Sequence, residues 1–229
     1  MEATIVVPAY NEGERIGGAL KKYLTLPSVR FLVVCNGCTD GTASVVEGIM
    51  RETGRVSLVV FKEKLGKGGA IVEGFRRAKT EAIGFVDADE SLSEESLHSL
   101  IECVESGAAG AIASRRLPGS HVGLKQPIQR QLSSILFNLI VKVMFGLPYV
   151  DTNCGGKVFR KSAIGAVLDD LKTTGFEFDV ELLWLLRRKG FDIREIPCEW
   201  KHQGNSKFSL LYGPGMIMRL LVLRLSQRT

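Results

Sequence analysis

The chain has 229 residues, of which 45% are hydrophobic and 24% are charged, and its formal net charge is +5. This length and composition predict one globular domain and exclude a disordered chain. Because there is no long run of Lys or Arg and no interleaved aromatic platform, we expect no nucleic-acid partner. The basic excess favours an anionic substrate or a membrane surface.

The five cysteines are widely spread, without a second C-x-x-C pair or a histidine pair at zinc spacing. Their odd number and spacing favour reduced thiols over disulfides or a zinc site. The first residues are typical of a strand rather than a signal peptide, and no apolar segment reaches the ~20 residues of a spanning helix. We therefore expect a cytoplasmic protein that is soluble or peripheral at the cytoplasmic face of a membrane. The cysteines are Cys35, Cys38, Cys103, Cys154 and Cys198.

Short apolar strands alternate with amphipathic helices through the first half of the chain. This alternation predicts an α/β fold in which a mostly parallel sheet has helices on both faces. Pro8 is expected to stop the first strand, and the residues from Cys35 onward are expected to form a polar loop after the second. The predicted strands are residues 4–7, 31–34, 56–60, 83–86 and 108–113.

Two carboxylates, Asp87 and Asp89, directly follow the buried strand 83–86, and a helix start signal follows at Ser93. Ligands bind at this carboxyl edge in open α/β sheets, and neighbouring carboxylates repel each other unless a cation lies between them. Hard oxygen ligands suit Mg²⁺ or Mn²⁺ when phosphates complete the coordination. We expect the pair to hold such a metal on a nucleotide diphosphate; the alternative is a strand followed by a helix cap.

A glycine-rich segment, residues 65–69, contains Lys67 and opens the next predicted helix. It matches neither the Walker A loop nor the dinucleotide fingerprint. We expect its glycines to let the helix start close to the sheet, with Lys67 free to meet a phosphate.

After Arg116 the pattern changes, and a long helix begins at Pro127. Its narrow apolar line of Phe137, Val141 and Phe145 lies beside a broad apolar stripe. One line is enough for a core contact, so the helix is either deeply buried or faces another chain or lipid on part of its surface. The broad stripe contains Ile128, Leu132, Ile135, Leu136, Leu139, Ile140, Val143 and Met144.

The rest of the second half predicts two further strands and three further helices. The terminal helix is apolar apart from Arg219 and Arg224, which suits a lipid interface, the protein's own core or a dimer contact. The predicted elements are a strand through 159, helices from 162 and 175, a strand at 193–196 and the terminal helix at about 214–225.

Several segments, in their order and spacing, resemble a known family. They are residues 6–12 (VVPAYNE), 36–42 (NGCTDGT), 66–68 (GKG) and 87–89 (DAD). With these the chain resembles the family-2 glycosyltransferases of the GT-A fold. Residues 113–115, 130, 178–181 and 205–208 look like the dolichol-phosphate mannose or glucose synthase branch. The resemblance covers nearly the whole chain.

The resemblance implies a single GT-A domain over residues 1–229. Residues 1–114 would bind a nucleotide sugar, and residues 115–229, ending in the amphipathic helix, would bind the acceptor. It places Pro8, Tyr10 and Glu12 near the nucleoside, and Asp87 and Asp89 at the ribose, the metal and the diphosphate. The cations expected at the phosphates of acceptor and donor are Arg115, Arg130 and Lys207.

Two residues depart from the family pattern. Asn36 stands where an acidic residue is common, and an amide pairs better with uracil than with guanine, which favours a UDP-sugar slightly. Ser91 stands where the mannose synthases often have Gln, which questions a third protein contact to the metal.

The acceptor decides what else the site needs. A hydroxyl acceptor needs a general base, for which Asp179 or Glu181 is the candidate. A polyprenyl phosphate is already anionic and instead needs arginines to place it, as Arg115, Arg116 and Arg130 could.

The preferred interpretation is an inverting, metal-dependent transfer of a hexose from a UDP- or GDP-sugar to a polyprenyl phosphate. The alternatives are a hydroxyl acceptor with Asp179 as base, a non-catalytic nucleotide-sugar-binding module and, third, a nucleotidyltransferase. A homodimer stays open.

Overall fold

A seven-stranded sheet runs through the middle of the protein. The computed structural model describes residues 1–123, 128–201 and 212–226, excluding the side chains of 128–134, 212–214 and 226. The strands are β1 Ala3–Ala9, β2 Val29–Asn36, β3 Val56–Phe61, β4 Ala82–Val86, β5 Gly110–Ser114, β6 His121–Val122, β7 Gly156–Arg160, β8 Ile193–Pro197 and β9 Glu199–Trp200. The helices are α1 Ile16–Tyr23, α2 Thr42–Glu52, α3 Gly66–Arg77, α4 Glu94–Glu105, α5 Ile128–Phe145, α6 Lys161–Gly165, α7 Phe178–Arg188 and α8 Tyr212–Ser226.

The strand order is β3-β2-β1-β4-β7-β5-β8, and β6 pairs with β9 in a separate small sheet. The four strands from β3 to β4 are parallel, as are β5 and β8, whereas β7 is antiparallel to both of its neighbours. The predicted α/β fold with a mostly parallel sheet is therefore confirmed. The antiparallel direction of β7 was not predicted, because a five-residue strand carries no sign of its direction.

Helices cover both faces of the sheet, as predicted. One buried cluster joins the sheet to α1, α2 and α4, and a second joins it to α3, α5, α6, α7 and α8. The N-terminus of α4 is capped as its sequence predicts, since the Ser93 side chain accepts a hydrogen bond from the backbone of Ser96. This cap fixes the point at which the chain leaves the carboxyl end of β4.

The ends of β1 and β2 differ from the prediction. Pro8 does not stop β1, because the strand continues to Ala9 with Pro8 opposite Val34 of β2. On the other side, pairing of β1 with β4 already ends at Val6, so the missing N–H of the proline leaves no ladder partner unsatisfied there. The second strand also runs on through Cys35 and Asn36, which were expected in the loop.

The two apolar lines of α5 lie in different environments. Val141 and Phe145 of the narrow line are buried and Phe137 packs against the same core. Four residues of the broad stripe face outward: Ile135, Leu136, Leu139 and Val143 are 53, 58, 56 and 79% exposed. Ile140 and Met144 of the same stripe are half-buried, and Met144 packs against the core. The exposed part of the stripe is too large for scattered single residues.

The terminal helix α8 docks on the core with one face and exposes the other. Arg224 donates to the carbonyl of Met144 at 3.0 Å, which joins α8 to α5, and Arg219 pairs with Glu177 just before α7 at 2.7 Å. No helix within the three described ranges has the length and apolar character to cross a bilayer. Buried in α8 are Met216, Leu220 and Leu223, and exposed are Met218, Leu221, Val222 and Leu225.

Gly74 sets the distance between α3 and the sheet. A Cβ at this residue would lie 2.4 Å from Val6 of β1, whereas a Cβ at Gly48 of α2 would meet nothing within 4 Å. We predict that Gly74→Ala lowers the free energy of unfolding by roughly 1–3 kcal/mol through overpacking. Gly48→Ala should raise it by about 0.5–1 kcal/mol through helix propensity. Urea unfolding of the two variants measures both values, and equal effects would contradict this packing.

Candidate functional site

Asp87 and Asp89 lie at the carboxyl end of β4, where the sequence predicted them. The backbone N–H of Asp87 donates to the carbonyl of Gly155 at 3.0 Å. Asp89 accepts from the backbone N–H of Ser91 at 3.1 Å, and Glu90 between them has a φ of 58°, which marks a tight turn. The two carboxylates are therefore held by backbone contacts at one edge of the sheet.

Gly155 makes room for the Asp87 carboxylate. A Cβ at residue 155 would lie 1.9 Å from Oδ2 of Asp87, so any other residue would displace that oxygen. Because the segment before β7 contacts β4 this closely, one oxygen of Asp87 is covered on that side. Its side chain remains 31% exposed.

Lys67 lies directly against this carboxylate. Its Nζ is 3.0 Å from Oδ1 of Asp87 and 3.6 Å from Oδ2 of Asp179, the second residue of α7. The ammonium group also lies 5.6 Å from the ring centroid of Phe85 and 6.0 Å from that of Phe176. Lys67 is therefore paired in this structure, and its contact with a phosphate stays a prediction.

A second lysine, Lys157 of β7, completes a row of alternating charges. Its Nζ lies 2.5 Å from Oδ1 of Asp179 and donates to the carbonyl of Cys154 at 2.7 Å. Lys157 and Asp179 are both fully buried, at 0% and 1% exposed. The row runs from Asp87 through Lys67 and Asp179 to Lys157.

These charges shift the ionisation of their neighbours. Desolvation raises the pKa of Asp87, with Asp89 adding to the rise and Lys67 opposing it. Burial alone would lower the pKa of Lys67, but the negative charges of Asp179 and Asp87 raise it. Lys67 therefore stays protonated at neutral pH.

The backbone N–H groups in the first turn of α3 bind the segment before α7 and are not available to a ligand. The backbone N–H groups of Gly68 and Gly69 donate to the carbonyl of Thr174, and a Cβ at Gly68 would lie 2.6 Å from Phe178. Glu181 of α7 fixes the chain just before Thr174, because its carboxylate accepts from the backbone at 172 and 173. The glycines were predicted to let α3 start close to the sheet, but the close contacts at Gly66 and Gly68 are with Thr174 and Phe178. These contacts bring Lys67 to Asp179.

The donor set fits a hard divalent cation whose coordination a ligand completes. Within the described residues, no group of three or more His, Cys, Asp or Glu side chains could hold a metal ion. Asp87 and Asp89 supply two hard carboxylates, which suits Mg²⁺ or Mn²⁺ bound through substrate phosphates and water. With Asp179 they carry three negative charges against two on Lys67 and Lys157, which leaves one net negative charge when all are ionised.

Arg115 is paired more firmly than expected. Its Nε and Nη2 donate to the two oxygens of the buried Asp151 at 2.7 and 2.8 Å, and its backbone N–H donates to the same residue at 3.1 Å. Although burial opposes it, this guanidinium holds the pKa of Asp151 below its usual range. Arg115 also stacks over Trp200 at 5.2 Å, and the neighbouring Arg116 donates to the carbonyl of Val150.

The predicted nucleoside residues lie together at the ends of β1 and β2. The Asn36 side chain is buried and donates to the carbonyl of Ala9 at 2.8 Å, which leaves its oxygen as the group available to a ligand. Lys64 lies 3.8 Å above the ring of Tyr10, and Arg15 pairs with Glu12. Pro8, Tyr10, Glu12 and Asn36 are thus gathered at one edge.

Two predicted phosphate contacts cannot be placed. The side chain of Arg130, in the first turn of α5, and the whole of Lys207 lie outside the described residues.

Sequence reasoning missed Lys157, Asp151 and Glu177. The alternation of Lys157 with the apolar Val158 and Phe159 in a short strand is the one signal that could have indicated a buried charge at 157. The third, Glu177, is 2% exposed and pairs through one oxygen with Arg219, and its Oε2 has no hydrogen-bond partner among the described residues.

Comparison with known proteins decides the family. A model described as glycosyl transferase family 2 matches residues 4–168, more than half of the chain. The chain belongs to glycosyl transferase family 2. The predicted resemblance is therefore confirmed.

The relatives of this family-2 chain differ in length. Glycosyltransferase AglD of Haloferax volcanii is 28% identical over 92% of the chain, which spans 35% of that protein. An undecaprenyl-phosphate mannosyltransferase of Micrococcus luteus is 30% identical over 91% of the chain and 88% of its own length. The chain therefore spans about a third of one relative and most of the other.

The predicted GT-A architecture of this family-2 chain is confirmed by solved structures. Glucosyl-3-phosphoglycerate synthase from Mycobacterium tuberculosis, in complex with Mn²⁺, UDP and glucosyl-3-phosphoglycerate, superposes with a TM-score of 0.73. The two chains are 15% identical, and the match covers 98% of this chain and 80% of the other. At this identity the likeness shows the fold.

The buried pair of Lys157 and Asp179 should be costly to break. We predict that Lys157→Met lowers the free energy of unfolding by roughly 3–5 kcal/mol, because it removes the closest partner of a buried carboxylate. Adding Asp179→Leu should restore part of the loss. The matched control is Lys189→Met, which removes a half-exposed lysine paired with Asp170 and should cost at most about 1 kcal/mol. Equal losses for Lys157→Met and Lys189→Met in urea unfolding would contradict the buried pair.

Proposed function

We propose that this domain transfers a hexose from a nucleoside-diphosphate sugar, UDP- or GDP-linked, to a polyprenyl phosphate, inverts the anomeric carbon and uses Mg²⁺ or Mn²⁺. The observation that carries the proposal is the Asp87 and Asp89 pair at the carboxyl end of β4, with Lys67 beside it. The name of the Micrococcus luteus relative, an undecaprenyl-phosphate mannosyltransferase, supports the acceptor class. The Mn²⁺ and UDP in the Mycobacterium tuberculosis structure support the donor and the cation.

The reaction requires charge stabilisation at the leaving group. A phosphate oxygen of the acceptor forms a bond to the anomeric carbon while the bond from that carbon to the diphosphate breaks, and the nucleoside diphosphate departs with the negative charge. A divalent cation at Asp87 and Asp89 would stabilise that charge. Lys67 lies where it can add a positive charge next to the same diphosphate.

The state of Asp179 supports a phosphate acceptor over a hydroxyl acceptor. A general base must reach the proton that it removes and must be able to accept it. Asp179 is 1% exposed and is paired with Lys157 and Lys67, so in this state both of its oxygens are engaged. A polyprenyl phosphate needs no base. In this proposal Asp179 positions the lysines rather than removing a proton.

The cations of the second half have separate roles in this proposal. Arg115 positions the acceptor side of the site through Asp151, because its Nε and Nη2 already hold that carboxylate. Arg130 and Lys207 are the proposed phosphate contacts. For the nucleoside we propose Pro8, Tyr10, Glu12 and the oxygen of Asn36, which can accept an N–H group from the edge of uracil or guanine.

We expect Asp89→Ala to reduce transfer of sugar to a short-chain polyprenyl phosphate by on the order of a hundredfold or more, because the leaving-group charge loses a ligand of its cation. The assay supplies Mn²⁺ and a panel of UDP- and GDP-sugars and measures labelled sugar in the organic phase. Asp169→Ala removes an acid that is 87% exposed and pairs with Arg76, near the end of α3 opposite Lys67, and should leave transfer unchanged. No lipid-linked product from the unmodified protein with any donor would refute the proposed reaction. Full activity of Asp89→Ala would refute the cation site.

A membrane surface is the proposed location of the acceptor. The outward faces of α5 and α8 carry apolar residues that are 41 to 79% exposed in the described part of both helices. Neither helix contains Asp or Glu, and Lys142 of α5 is basic and exposed, so the surface suits anionic lipid. We therefore propose peripheral binding at the cytoplasmic face of a membrane.

Val143→Glu should reduce binding to vesicles that contain anionic lipid, because Val143 is 79% exposed on this face. Val60→Glu is the matched control, since Val60 is 57% exposed on β3 at the edge of the sheet. Vesicle flotation measures both variants. If Val143→Glu instead converts a dimer to a monomer and leaves flotation unchanged, the face is a homodimer contact and the membrane proposal fails.

A further inference from the structure

The pairing of Lys67 with Asp87 affects the order in which the cation and the donor can bind. Lys67 Nζ lies 3.0 Å from the oxygen of Asp87 that is turned away from Gly155, and its side chain is only 13% exposed. An ammonium group in this position competes for Oδ1 of Asp87, and its charge repels a divalent cation. Asp87 is therefore already neutralised before any ligand arrives.

The position of Lys67 depends on residues below the site. Asp179 is the second carboxylate within 4 Å of its ammonium group, and Lys157 holds the far oxygen of Asp179 at 2.5 Å. Because Lys157 neutralises Asp179, the 3.6 Å contact from Asp179 to Lys67 is the weaker of the lysine's two contacts. Lys67 is thus directed to Asp87 and is not locked on Asp179.

We propose that Lys67 is an internal counter-ion that occupies Asp87 until the diphosphate of the donor draws it away, so that the divalent cation and the nucleotide sugar bind together rather than the cation first. The diphosphate offers the lysine new anionic oxygens, and Asp87 is then released to the cation. The inference rests on the proposed function for the identity of the donor, and it adds the coupling between cation and donor.

Coupled binding follows from charge. Without the donor, a divalent cation would enter a site that holds one net negative charge and would meet Lys67 on one of its ligands. With the donor, the diphosphate adds negative charge and accepts the lysine. The affinities for cation and nucleotide are then linked, and each must strengthen the other by the same factor.

The test is a titration of Mn²⁺ followed by electron paramagnetic resonance, which detects the free ion, with and without UDP. In the unmodified protein UDP should tighten Mn²⁺ binding by about tenfold or more. In Lys67→Met, Mn²⁺ alone should bind on the order of tenfold tighter than to the unmodified protein, and the enhancement by UDP should shrink. Lys67→Gln removes the charge but keeps a hydrogen-bond donor, and the same changes in Mn²⁺ affinity are expected for it. It replaces Lys67→Met if that variant folds poorly.

Lys79→Met is the matched control, because this exposed lysine follows the opposite end of α3. Lys79→Met should bind Mn²⁺ as tightly as the unmodified protein does, both with and without UDP. The proposal is overturned if neither Lys67 variant binds Mn²⁺ more tightly without UDP, or if UDP leaves Mn²⁺ binding to the unmodified protein unchanged. If Mn²⁺ and UDP strengthen each other's binding but no sugar is transferred, the proposed reaction is refuted and the counter-ion role of Lys67 is retained.

Discussion

The site depends on one buried carboxylate, Asp179, that is shared between two lysines. A charged group in the interior is stable only when its partners and hydrogen bonds replace the water that it has lost. Asp179 has two such partners, Lys157 on β7 and Lys67 on α3. Three elements far apart in the sequence are thereby held at fixed distances below the carboxyl end of β4.

Close backbone contacts make this arrangement possible. Gly155 allows the chain before β7 to touch Asp87, and Gly68 allows α3 to touch Phe178 at the start of α7. Glu181 in the next turn secures the segment that caps α3. The geometry of the charges therefore comes from packing between helices and strands, and no long flexible loop has to supply it.

The sequence predicted the fold class, the strands of the first half and the place of Asp87 and Asp89, because hydrophobic periodicity and the end of a strand are local signals. It did not predict that Lys67 is paired or that Lys157 is buried, since both facts depend on contacts between residues 20 to 112 positions apart. The ends of β1 and β2 were misjudged because neighbouring strands decide whether a proline or an asparagine is tolerated. Likewise, the sequence showed two apolar lines on α5, and only the packing shows which of them is inside.

The antiparallel strand β7 lies between β4 and β5, although more than forty residues separate it from β5 in the chain. The central strand of the sheet therefore lacks a neighbour until most of the polypeptide has been synthesised. A nascent or truncated chain that stopped after β5 would present the open edge of β4, all of it apolar, to other molecules. This topology makes late synthesis the stage at which the polypeptide is most exposed to aggregation, and it gives chaperones a defined edge to shield.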